Sequence, residues 1–120
     1  MAYGRKLTQT KRPVSVPTIT TKLQTGHHTM YITIGYLKER LPFEIFTTVG
    51  HSDPCEHAYL EAISRCISIA LQYGVPAEEF IDQLRGIRCV IGTDPDRKRF
   101  IASPADGISV VLNEFIKGEL

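Results

Sequence analysis

The sequence predicts an α+β domain: a small antiparallel sheet covered on one face by three helices, in the order ββαα(ββ)α. Residues 29–36 (TMYITIGY) and 43–49 (FEIFTTV) are rich in β-branched and aromatic side chains, alternate by face, and lie close enough to form a hairpin. Two later segments, Asp53-Pro54-Cys55-Glu56 and Ser103-Pro104-Ala105-Asp106, share one helix-start pattern: a capping side chain, proline first, an acid third. Strands grouped early and helices late favour a sheet with helices on one side over an alternating parallel fold.

Residues 1–18 are polar and basic and are interrupted by Pro13 and Pro17, with Val14 and Val16 alternating against Ser15. This composition suits an extended arm, either loose, laid on a surface, or exchanged with another subunit. Residues 19–120 then form a single domain. In the first strand Met30, Ile32 and Ile34 share one face, and Tyr31 and Thr33 share the other. Phe43, Ile45, Thr47 and Val49 share a face of the second, across the short, charged connection 35–42.

Beyond Gly50 the hydrophobic period becomes helical. Tyr59, Ile63, Cys66, Ile67 and Ala70 mark one face of a helix that ends at Gly74, which assigns Cys66 to packing. Pro76 opens a shorter helix with Phe80, Ile81 and Leu84 towards the core, and Gly86 stops it. Residues 87–91 read as a brief strand or extended link, 93–99 (TDPDRKR) as an exposed turn, and Phe100-Ile101 as another brief strand. The last helix begins at the Ser103 cap and buries Ile108, Val111, Leu112, Phe115 and Ile116.

A chain of 120 residues fits one domain with a modest core. Its net charge of +1 gives no global attraction to nucleic acid or membrane. The basic clusters Arg5-Lys6, Lys11-Arg12 and Arg97-Lys98-Arg99 read as solvated, the last partly neutralised by Asp94 and Asp96. No apolar run resembles a leader or a membrane span, and three widely spaced cysteines do not suggest a disulfide framework. These features predict a cytoplasmic protein with reduced thiols.

Three kinds of site are open. A zinc ion would draw on His27, Cys55, His57 and Cys89, with His28 and His51 as further imidazoles; no C-x-x-C pair is present, so the ligands would come from separate segment ends. An anion or nucleotide would use His27, His28, His51, Ser52 and Ser103, grouped at one turn and two helix N-termini. The acids in those first turns oppose that use, and neither a P-loop nor a dinucleotide fingerprint occurs. Thiol chemistry at Cys55, in the first turn of a helix, would need His51 or His57 as its base.

The blocks Thr25-Gly26-His27, Met30 to Ile34 (MYITI), Pro42 to Phe46 (PFEIF), Gln83 to Cys89 (QLRGIRC) and Ser103 to Asp106 (SPAD) occur in an order that resembles the TSCPD domain. That module is found at the C-terminal end of adenosylcobalamin-dependent, class II ribonucleotide reductases and in small stand-alone proteins. Many members carry cysteines in the first turn, at the start of the long helix, after G-I-R and in the S-C-P-D motif, a set that implies a metal or redox role. Cys55 and Cys89 match the second and third positions; His27 stands at the first and Pro104 at the fourth.

No part of the chain matches the reductase barrel, its radical cysteine or a cobalamin site. The resemblance therefore implies an ancillary module, not an enzyme in itself. Such a module would dock on a reductase catalytic subunit or bind a nucleotide or metal. An independent oligomeric nucleotide-binding protein and a cysteine-dependent enzyme are the alternatives.

Overall fold

The hairpin forms, and a strand preceding it widens it into a three-stranded sheet. The computed structural model describes residues 6–50, 53–95 and 98–120. Strand β1 (Thr18–Gln24) pairs antiparallel with β2 (Thr29–Leu37), which pairs antiparallel with β3 (Leu41–Val49). Met30, Ile32 and Ile34 lie opposite Val49, Thr47 and Ile45, so one face collects the apolar side chains. A single 3-10 turn (Lys38–Arg40) closes the β2–β3 hairpin, with Glu39 and Arg40 both at positive φ.

Helix α1 (Pro54–Gln72) starts as its sequence indicates: the Asp53 carboxylate accepts the Glu56 N–H at 2.9 Å, with proline at the first turn. Its buried face, however, is Leu60, Ser64, Ile67 and Leu71, rotated from the expected stripe. Tyr59 is 70% exposed and Cys66 is exposed, which corrects the assignment of Cys66 to the core.

The rotation follows from what the helix covers. β3 is an outer strand of the sheet, and Ile45 presents an N–H and a C=O away from β2. The Ser68 hydroxyl accepts from that N–H at 2.9 Å and donates to that C=O at 3.1 Å. The Ser64 and Thr47 hydroxyls pair at 2.9 Å alongside. Hydroxyls facing the strand satisfy an edge that would otherwise stay open.

Helix α2 (Ala77–Leu84) buries Ala77 and Ile81, with Phe80 and Leu84 packed beside them. Gly86 follows at φ 77, the left-handed conformation that suits a helix stop. Residues 87–91 form no strand, and Ile87, Val90 and Ile91 stay about half exposed. Phe100-Ile101 forms a brief strand as expected, in a second hairpin whose other strand, β4 (Gly92–Asp94), takes the first part of the expected turn and pairs with β5 (Arg99–Ile101). Asp94 is fully buried there, and Arg99 spans it and Glu114. Helix α3 (Pro104–Ile116) packs against α2, β2 and β5, and buries Ile108, Val111, Leu112 and Phe115. Ile116, expected on its inner face, is exposed.

The described part of the arm lies back on the domain. Tyr36 N–H donates to Pro17 O at 3.0 Å, and Thr10 N–H donates to Gln72 O at 2.8 Å. Between them Arg12 forks onto the buried Glu44 carboxylate at 2.9–3.2 Å. Among the described residues, no helix is long and apolar enough to cross a membrane.

Candidate functional site

The turn between β1 and β2 is knotted by one side chain. Thr25 is buried; its hydroxyl donates to His28 O at 2.9 Å and accepts from the N–H groups of His27 and His28 at 3.2 and 3.1 Å. Side-chain closure of this kind holds a short turn in one geometry. It sends the two histidines in different directions. His27 is exposed, whereas His28 is buried and its Nε2 meets Glu56 in the first turn of α1. That buried pair ties the turn to the helix carrying Cys55.

A glycine crossing adds the third segment. A β-carbon on Gly26 would lie 2.2 Å from Val90 O, so two stretches of backbone touch where no side chain fits. The contact carries the 86–91 loop over the turn. Cys89 N–H donates to Ala102 O at 2.9 Å, which docks the same loop on the approach to α3.

Asp106 makes the fourth connection. Its carboxylate accepts Gly86 N–H at 2.8 Å and Ala102 N–H at 2.9 Å, while its own N–H is capped by Ser103 Oγ at 3.0 Å. The surviving serine and aspartate of the SPAD block are therefore structural. One caps α3; the other joins the end of α2 to the entry of α3.

His27, Cys55, Cys89 and Pro104 consequently line one open depression of about 380 Å³ with Tyr59 and Ile87. His27, Cys55, Cys89 and Pro104 are the four positions that the resemblance singles out. His27 Nε2 lies 2.9 Å from Cys89 Sγ. Cys55 shares the depression, at the start of α1. A larger groove, about 560 Å³ and lined in part by Arg40, Leu71, Val75 and Pro76, contains neither thiol nor imidazole.

The remaining predicted residues lie elsewhere or are engaged. His51 and Ser52 fall outside the described residues. His57 is exposed on α1 and does not line the depression. Ser103 is buried as a cap, and His28 is turned inward to Glu56. Among the described residues, no group of three or more His, Cys, Asp or Glu side chains is arranged to hold a metal ion. With Pro104 in the remaining corner, the donor set does not fit a closed four-ligand zinc site.

Sequence reasoning missed Thr25, Glu56 and Gly92, whose added β-carbon would lie 2.3 Å from Gly26 N, as the parts that assemble the rim. Thr25 and Gly26 stood together in the first recognised block, but neither the knot nor the crossing has a signal of its own in one sequence.

The architecture is that of a small α+β domain whose segment ends converge on a thiol–imidazole depression. The model of the TSCPD domain family matches residues 4–116, and the chain belongs to that family. No curated protein matches the chain, and neither does any solved structure.

Proposed function

We propose that the protein is a non-catalytic ancillary module of a class II ribonucleotide reductase system, and that it docks on the catalytic subunit through the His27–Cys55–Cys89 depression. The observation that carries this reading is the convergence of four separate segments on that one surface. Its walls are apolar, from Tyr59, Leu60, Ile87 and Pro104, with the thiols and His27 among them and Arg88 and Glu56 beside them. The exposed Val90 and Ile91 follow Cys89 on the same loop. An apolar centre flanked by charges is the usual make-up of a protein–protein contact.

The test is calorimetry or light scattering with a class II catalytic subunit from which its own TSCPD region has been removed. Binding that is lost in Ile87→Asp supports docking through this surface. Absence of any complex with the intact protein overturns it.

A second reading, an independent oligomeric nucleotide-binding protein with an exchanged arm, draws on the Arg12–Glu44 fork, in which the arm supplies the partner of a buried carboxylate. A nucleotide panel in thermal unfolding tests it. A ligand at a hundredfold excess over its Kd should stabilise by about 2.7 kcal/mol.

A further inference from the structure

We infer that Cys89 is a nucleophilic thiol activated by His27, and that the depression takes a disulfide as its co-reactant. The inference shares the depression with the docking proposal but rests on the His27–Cys89 pair alone. An imidazole nitrogen 2.9 Å from a thiol sulfur is within reach to take its proton. Both residues are exposed, so an incoming molecule can reach the sulfur.

The base is held in place. Thr25 knots the turn that carries His27, and the Gly26–Val90 contact fixes that turn against the loop carrying Cys89. At the position where the resemblance implies a further thiol, His27 places a proton acceptor on this rim.

A disulfide is the electrophile that suits the site. Sulfur-to-sulfur exchange expels a thiolate directly and develops no oxyanion, whereas acyl transfer needs donors aimed at a developing oxyanion. Of the first-turn amides of the two adjoining helices, Glu56 N–H is taken by Asp53 and Asp106 N–H by Ser103. The apolar walls accommodate the carbon framework next to the sulfurs.

The step balances without a further reactant. The Cys89 proton passes to His27 Nε2, and the thiolate attacks one sulfur of the disulfide. A new S–S bond forms to Cys89 as the original S–S bond breaks. A basic departing thiolate takes the proton back from the imidazolium and leaves as a thiol; a weakly basic aromatic one leaves as the thiolate, and the imidazolium gives its proton to water.

The exchange is measurable on the full, reduced protein. A substoichiometric aromatic disulfide that releases a coloured thiolate reports the rate, and peptide mass spectrometry assigns the labelled cysteine. Cys66, exposed in mid-helix, serves as an internal reference. At neutral pH Cys89 should react at least about tenfold faster than Cys66, because an ordinary thiol is only a few per cent thiolate there. In His27→Asn that lead should disappear while circular dichroism stays unchanged.

Equal rates at Cys89 and Cys66 in the unaltered protein would overturn the inference, and so would a lead that survives His27→Asn. The unaltered protein alone supplies the first comparison, so the test does not depend on a variant folding. Docking on the reductase subunit is measured separately with Cys89→Ser. Retained docking with lost exchange leaves both proposals standing, and exchange without docking removes only the docking proposal.

Discussion

A β-carbon added to Gly92 would sit 2.3 Å from the backbone nitrogen of Gly26, and this glycine crossing brings the Cys89 loop to His27. Gly92→Ala should force the two backbones apart. Overpacking of this kind costs about 1–3 kcal/mol, readable as a lowered urea midpoint. The same variant should slow disulfide exchange at Cys89. Unchanged stability together with unchanged Cys89 reactivity would show that the crossing does not position the pair.

Asp106 should matter more than a helix-cap residue. Its carboxylate is the acceptor for two backbone N–H groups from different segments, and the residue is buried. Asp106→Ala leaves both donors without their partner, a loss of about 2–4 kcal/mol. Asp106→Asn keeps one acceptor oxygen and should lose less. A urea titration in which the two variants match the unaltered protein would refute the linking role.

On α1, two neighbouring substitutions separate the true inner face from the one that apolar spacing suggests. Ser68→Ala removes the hydroxyl serving both Ile45 N–H and Ile45 C=O, and should cost about 1–2 kcal/mol. Cys66→Ser changes an exposed side chain and should stay within about 0.5 kcal/mol of the parent. Thermal unfolding that reverses this order would restore Cys66 to the core.

Arg12 is the latch of the arm. Arg12→Ala should expose the Thr10 amide, now bonded to Gln72 O, to faster hydrogen exchange and open Lys11 to trypsin. Added salt should act in the same direction, because the guanidinium is half exposed. The hydrogen bonds that Arg12 donates to Glu44, followed by the carboxylate's charge, hold the Arg12 pKa above its ordinary value. A cation with a raised pKa makes its full contribution below its ordinary pKa and loses it only as pH rises through the higher one. Arg12 itself should therefore add no pH dependence to the arm's attachment anywhere below the ordinary arginine pKa. Protection of Thr10 that persists in the variant would place the attachment elsewhere.

Much of the fold was legible because local chemistry and tertiary outcome agree. Pro54 behind Asp53 and Pro104 behind Ser103 specify helix starts whatever surrounds them, and both cap bonds form. The alternation of Met30, Ile32 and Ile34 needs only a sheet with one covered face. β1 was harder to see: TITTKLQ alternates threonine and lysine with only Ile19 and Leu23 as apolar inward positions. The inner face of α1 was misread because apolar spacing assumes an apolar partner, whereas this helix faces an open strand edge that calls for serine.

For the site, the primary chain determined the ingredients: an imidazole after Thr25-Gly26, a thiol in a helix's first turn, another after a glycine stop, and a proline where a further thiol would sit. Their meeting was decided only in three dimensions. Residues 62 positions apart become neighbours through contacts with no local signature, namely the Thr25 knot, the Gly26–Gly92 crossing and the Asp106 bridge. Backbone packing at that range depends on how whole segments fit, and no window of the sequence holds both sides of the contact.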